Sequence, residues 1–342
     1  MGIIVKEEIN LRKAILHILD SNAGEPVLSD EPLEYGAEFS DFIKGHLSNI
    51  FGGDDSKKCE FHRKESEIYA ILNEYSDENF VEISKEIAKN LYELMNANID
   101  IPSADLLVVR FSCDSLEYLS ILKMNFKPQY THRCMPAEGK IVNEVYQYKQ
   151  LLPAGTSKLA EACIIRLTDL AIWIVEKKAE INGKKEDYFS EYFLKCSTKM
   201  SDKKKLAVVS KAIESVNASA YEETFRYEPQ MKAKAIINEN LEKKGGFVIE
   251  ELAGEIFSDR PDLKAAFEEK MDRVDLRNEE VLPQSENTTK KYQKQCLLTD
   301  TGIEIKIPMS QYEEEGNVEF ITNPDGTISL HIRNIGNISA KF

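Results

Sequence analysis

The chain has 342 residues and a mass of 39.0 kDa, more than one ordinary core holds, so about two domains and a smaller module are expected. Apolar residues make up 42% and charged residues 30%, with 15 Phe and 14 Tyr available for packing, which excludes wholesale disorder, collagen and coiled-coil arrays. Lys and Arg number 44 against 59 Asp and Glu, and the net charge of −15 is the wrong sign for a protein that coats phosphate backbones indiscriminately; any nucleic-acid contact must come from a local patch.

The opening residues, Met1 to Glu8, lack the long apolar core of a secretory signal, and no apolar run approaches about 18 residues, so no membrane association is expected. Ile9 to Asp20 is partly alternating and rich in Ile and Leu, which predicts a strand ending in the turn Asp20 to Gly24. From Asp20 to Asp41 there are seven acids and no base, leading into a helix through Phe39, Phe42, Ile43 and Leu47. Two further helices, Glu65 to Tyr75 and Asn79 to Asn96, carry apolar residues at helical spacing. After Ile101-Pro102 the period changes. Ala104 to Cys113 and Glu117 to Phe126 read as strands joined by a short turn at Asp114-Ser115, and Lys140 to Leu151, Ala162 to Leu167 and Leu170 to Lys178 continue the series.

Asp187 to Lys195, Ser201 to Ala220 and Gln230 to Lys244 read as helices, the last stopping at Gly245-Gly246; Phe247 to Phe257 and Pro261 to Met271 add two short ones. Beyond a polar loop at Gln284 to Thr289, short strands follow at Gln295 to Thr299, Ile303 to Ile307, Val318 to Thr322 and Thr327 to Arg333, the last pair flanking the turn Asn323-Pro324-Asp325-Gly326. The expected fold class is α+β: an N-terminal antiparallel sheet with helices packed on one side over residues 1–182, a helical region over 183–282, and small C-terminal β-hairpins over 283–342.

The densest positive stretch is Lys195, Lys199, Lys203, Lys204, Lys205 and Lys211, opposed only by Asp202 and sitting at the start of a predicted helix. Lysines there can meet phosphates as point charges. Lys290, Lys291 and Lys294 around Tyr292 form a second, smaller patch. The acids Asp30, Glu31, Glu34, Glu38 and Asp41 offer the opposite surface, suited to a basic protein partner.

Other constellations carry less. Cys59, His62, His132 and Cys134 have the residue types of a zinc site, but His-x-Cys is a poor bite for one tetrahedral ion, so no metal is expected. Asp169 and Glu176 match the acids of a metal-dependent nuclease in type only, since seven residues of extended chain would hold them about 23 Å apart. Leu152 to Lys158 lacks the glycines of a phosphate loop, and Gly-x-Ser-x-Gly, His-Glu-x-x-His and Gly-x-Gly-x-x-Gly are absent. His17 and His331, on alternating strands, read as structural residues. The six cysteines are widely spaced with no Cys-x-x-Cys, which fits reduced thiols in a cytoplasmic protein.

Three stretches, in order and at this length, carry a likeness: Ile101-Pro102-Ser103-Ala104-Asp105, the run from Asp187 through Tyr188-Phe189-Ser190-Glu191-Tyr192-Phe193-Leu194-Lys195 to Cys196, and Asn323-Pro324-Asp325-Gly326 through Leu330. They resemble the bacterial nucleoid-associated protein family of the NdpA/YejK type, over nearly the whole chain. The resemblance implies a cytoplasmic protein of the nucleoid, without enzymatic activity or cofactor, that engages double-stranded DNA directly or through other proteins. Residue charge supplies the rest of the expectation: the lysines contact DNA with little sequence preference. The alternatives are an acidic interaction module recruited by a DNA-handling enzyme such as a type II topoisomerase and, last, a metal-dependent nuclease. A homodimer would double the lysine patch.

Overall fold

The structure is a computed structural model and describes residues 6–137, 140–181, 183–313 and 317–339. The backbone divides into two compact units, Met1–Ser201 and Asp202–Phe342. The division falls after 201 rather than near 182 because the intervening residues complete the first sheet.

The first unit runs β1 (Asn10–Leu19), α1 (Ala37–Phe51), β2 (Lys57–Phe61), α2 (Glu67–Asn73), α3 (Phe80–Ala97), β3 (Ala104–Cys113), β4 (Leu116–Asn125), β5 (Lys127–Ala137), β6 (Lys140–Leu151), β7 (Glu161–Arg166), β8 (Ile172–Val175), β9 (Ala179–Ile181), β10 (Lys184–Glu186), a π-helix (Phe189–Leu194) and β11 (Cys196–Thr198). Seven strands form one sheet in the order β1-β3-β4-β7-β8-β2-β11, every neighbouring pair antiparallel. Between β3 and β4, Asp114 and Ser115 have φ of 48° and 62°, the double left-handed geometry a two-residue hairpin demands.

Helices cover both faces of this sheet, not the single face expected. Leu106 and Val108 of β3, with Leu119 and Ile121 of β4, pack with Ile83, Ile87 and Leu91 of α3 and with Phe189 and Phe193 of the π-helix. The intervening residues Leu107, Val109 and Phe111 point the other way, with Tyr118 and Leu122, into Ile43, Leu47 and Ile50 of α1. Every residue of β3 is buried. A near-continuous apolar run such as Leu-Leu-Val-Val is the mark of a strand covered on both sides, since one solvated face would leave polar residues alternating along it.

Strands β2, β5 and β11 carry no apolar periodicity and were not anticipated, nor were the short strands β9, β10 and, in the second unit, Glu280–Val281; Phe247–Val248 is a strand where the start of a helix was expected. β2 buries only Cys59, and β11 buries only Cys196. β5 pairs with β6 as a two-stranded ribbon separate from the sheet.

Two histidines are buried in the first unit, and one of them ties a loop to the sheet. His17 on β1 accepts the Ser29 N–H at Nδ1 (3.1 Å), which leaves the proton on Nε2 to donate to Ser84 Oγ (3.0 Å). Burial, reinforced by the nearby Lys85 charge, pushes its pKa down to about 4. His46 on α1 meets the Phe42 ring edge-on with centroids 4.7 Å apart, and burial brings it to about 4 as well. His17 is thus structural, as expected, whereas His331 is exposed on a terminal strand.

The second unit runs α4 (Asp202–Ala220), α5 (Tyr227–Lys244), β12 (Phe247–Val248), α6 (Ile249–Ile256), α7 (Pro261–Asp272), β13 (Glu280–Val281), α8 (Glu286–Thr289), β14 (Lys294–Leu298), β15 (Glu304–Pro308), α9 (Met309–Glu313), β16 (Val318–Thr322) and β17 (Ile328–Ile332). Helix α5 ends where Gly245 turns left-handed at φ 72°. The helical region and the hairpins share a core, with Met231 and Ala235 of α5 against Ile307 and Met309.

Gly246 lies where β12 meets β13. A Cβ there would come within 2.2 Å of the Val281 carbonyl oxygen and 2.6 Å of a Leu282 methyl. Backbone cannot yield cheaply, so Gly246→Ala is expected to destabilise the second unit by about 3 kcal/mol, read as a lower urea midpoint with an unchanged slope. An unchanged midpoint would contradict this packing.

Candidate nucleic-acid interface

The far end of the first sheet combines cations with aromatic rings. Pairing sets Lys58 on β2 directly opposite Trp173 on β8, and Glu60 opposite Ser197 on β11. Trp173 leans on Phe51 (centroids 5.8 Å apart), and the Arg166 guanidinium sits 5.5 Å from its ring centroid. Arg166 is itself gripped by both oxygens of Asp169, at 2.8 and 2.5 Å. Arg63, just beyond β2, lies over the Tyr69 ring at 5.8 Å.

Apart from Phe51, these residues together with Lys199 line a groove of about 690 Å³. Its charged lining is Lys58, Arg63, Arg166 and Lys199 against Glu60 and Asp169, net positive in a chain of −15. Among the described residues, Lys58, Arg63 and Lys199 make no ion pair, so their charges are available to a ligand.

The six lysines from 195 to 211 are divided between the units. Lys195 and Lys199 belong to the first, and Lys203, Lys204, Lys205 and Lys211 to the second. Lys195 takes a left-handed conformation closing the π-helix, and its Nζ lies 3.2 Å from Glu67. Lys205 is buried: its Nζ reaches both Glu279 Oε2 and the Glu280 carbonyl at 2.8 Å, so it fastens α4 to the segment around β13. Lys203, Lys204 and Lys211 are exposed along α4. In the second patch Lys290 pairs with Glu286 (2.9 Å) and Lys291 lies over Tyr292 (5.8 Å), while Lys294 is exposed.

The acidic segment is also partly occupied. Asp30 is bonded to Lys85, which holds its carboxyl below the ordinary range, and Asp41 lies 3.6 Å from Lys6. Glu31, Glu34 and Glu38 are exposed and, among the described residues, make no ion pair.

Asp169 and Glu176 do not lie along one strand, as the extended spacing held against a nuclease assumed. Asp169 sits in the β7–β8 turn with Arg166, whereas the Glu176 carboxylate is buried, accepting from Lys57 (2.9 Å) and from the Ser190 hydroxyl (2.8 Å) and N–H (2.9 Å). Each acid is committed to its own structural cation. Burial raises the Glu176 pKa against the opposing pull of Lys57. Cys59 is in the core, His62 is exposed, and His132 and Cys134 are exposed on the ribbon; among the described residues, the ligand-type atoms that lie within 4.8 Å of one another are those of Glu8, Cys113 and Asp114.

Lys58 and Arg63 were missed because single basic residues near a strand carry no periodic signal. The available clue was the density of cations around aromatics between Lys57 and Tyr69.

A family model described as nucleoid-associated protein YejK matches residues 15–338, which takes in both units and all three motifs that suggested the likeness. The chain belongs to this family. Membership places it with the bacterial nucleoid and chromosome organisation. No curated protein matches the chain. Its motifs are architectural: Ile101 to Asp105 leads into β3, Asp187 to Cys196 holds the π-helix, and Asn323 to Leu330 closes the β16–β17 hairpin. Among the described residues, no helix is long and apolar enough to cross a membrane.

Proposed function

We propose that this family member is a non-enzymatic DNA-binding protein of the nucleoid that grips the phosphate backbone through the cationic groove of its first unit, with little sequence preference. The observation that carries the reading is the groove itself, where Lys58, Arg63 and Lys199, without an ion pair among the described residues, stand beside Tyr69 and Trp173 in an otherwise acidic chain. Point charges meet phosphates without regard to base identity. Lys203, Lys204 and Lys211 of α4, and Lys291 and Lys294, supply further contacts. Lys205 supports the fold and Lys195 is engaged with Glu67, so neither contributes as a free charge. Fluorescence anisotropy on duplex DNA from about 50 to 200 mM salt tests this: a patch neutralising several phosphates gives a steep negative log–log slope. Binding independent of salt would overturn the reading.

A second contact is favoured by the exposed trio Glu31, Glu34 and Glu38, which suits a basic DNA-handling protein. Replacing these three by Gln is expected to weaken such a complex roughly tenfold at low salt while leaving DNA affinity unchanged or slightly raised. Pull-down of a basic partner by both chains alike would remove this surface.

A further inference from the structure

The ribbon formed by β5 and β6 stands off its own fold. From Gln129 to Met135 and from Ile141 to Gln150 the side chains are exposed, apart from a half-buried Thr131. Pairing sorts them onto two faces, and neither face is covered. One sets Gln129 opposite Tyr148, Thr131 opposite Tyr146, Arg133 opposite Glu144 and Met135 opposite Val142; the other sets Tyr130 opposite Gln147, His132 opposite Val145 and Cys134 opposite Asn143, with Ile141 beyond. Large apolar or aromatic side chains lie on both: Met135, Val142, Tyr146 and Tyr148 on the first, and Tyr130 (75% exposed), Val145 (69%) and Ile141 (79%) on the second. A ribbon built to pack against one flat partner would gather them on one side.

Charge sets the ribbon apart from the rest of the chain. Residues 127–151 hold Lys127, Arg133, Lys140 and Lys149 against Glu138 and Glu144, a surplus of cations in a chain of −15. Arg133 pairs with Glu144 at 2.7 Å and lies 5.4 Å from the Tyr146 ring centroid. Lys127 and Lys149, near the root, are exposed and make no ion pair among the described residues. The root is pinned where Gln150 donates to Asp20 at 3.1 Å.

We propose that the ribbon is an arm that enters the minor groove of duplex DNA and bends it, a contact additional to the cationic groove at β2, β8 and β11. The proposal rests on the DNA-binding reading above. A duplex groove encloses what it holds, so an arm inside it is touched on both faces at once. Lys127 and Lys149 then meet phosphates at the groove's edge, and Gln129, Asn143 and Gln147 bring the amide groups that read minor-groove acceptors. Met135, Ile141 and Val142, toward the far end, supply the apolar wedge that unstacks a base step. Length agrees: the 11 residues of β5 extend about 35 Å, close to one turn of duplex.

Resonance energy transfer between dyes at the two ends of a short A/T-rich duplex, read beside anisotropy, tests this. The unaltered chain is expected to bring the ends together, and netropsin, which fills the minor groove, to abolish the effect. Ile141→Ser with Val142→Ser is expected to remove the bend while affinity falls less than about tenfold. Lys127→Gln with Lys149→Gln is expected to flatten the log–log salt slope by about two. All four positions are exposed, and an unchanged circular dichroism spectrum checks that the fold is kept. Bound DNA that stays straight overturns the proposal and leaves the ribbon to a protein partner; a bend that survives netropsin, or a lysine variant with the parent's slope, overturns it too. The two DNA contacts fail separately. Salt-dependent binding without a bend removes the arm alone, whereas a variant lacking Lys58, Arg63 and Lys199 that keeps the parent's affinity and still bends DNA removes the cationic groove alone.

Discussion

Replacing Lys58, Arg63 and Lys199 together by Gln is expected to lower affinity for duplex DNA about 10²–10³-fold near 0.1 M salt and to flatten the log–log salt slope by about three. Each lysine or arginine that neutralises a phosphate releases close to one condensed counterion, so three lost contacts remove about 0.9 from the slope apiece. The three come from different places in the chain, Lys58 from β2, Arg63 from the segment after it and Lys199 from the residue following β11. Only the antiparallel pairing of β2 with β11 gathers them. None makes an ion pair among the described residues, so their removal should leave the fold intact. Lys205→Met is the informative contrast. It strips Glu279 and the Glu280 carbonyl of a buried donor, which should cost about 1–2 kcal/mol of stability, Glu279 being partly solvated, and leave the slope unchanged. A triple variant that binds DNA as tightly as the parent chain would remove the groove from consideration.

Acidification is expected to destabilise the first unit through His17 and His46. Both are neutral when folded, with pKa values near 4, against about 6.5 for an exposed imidazole. A depressed value means that the stabilisation is complete above about pH 6.5 and disappears as pH falls toward 4, because the unfolded chain takes up protons that the folded one refuses. The shift corresponds to about 3 kcal/mol for each residue. Asp105 works in the opposite direction. Burial raises its pKa to about 6, so its burden at neutral pH is relieved as pH falls from 6 toward 4, offsetting about one histidine. These three groups together lose on the order of 3 kcal/mol between pH 6.5 and 4, and substitution isolates each part. His17→Phe should be less stable than the parent at pH 7, where the Ser29 and Ser84 bonds are lost, and the gap should narrow by about 3 kcal/mol at pH 4. Urea titrations at the two pH values measure this, and a constant gap would show that His17 titrates normally.

Much of the architecture was legible in the amino-acid order. Helices α3 and α5, the Asp114-Ser115 turn and the terminal hairpin around Asn323-Pro324-Asp325-Gly326 depend on neighbours within a few residues, and local spacing reveals them. The three family motifs were readable for the same reason. Strands β2 and β11 were not, because each is defined by a partner more than a hundred residues away and buries one side chain. Charge behaved likewise. Residue order alone establishes that positive charge is concentrated from Lys195 to Lys211, but Lys199 and Lys205 are six residues apart and one is open to solvent while the other is locked to Glu279. Whether an ammonium group is available depends on which carboxylate the fold brings beside it. That is a long-range property, so the positions of the usable cations emerge only once the chain has folded.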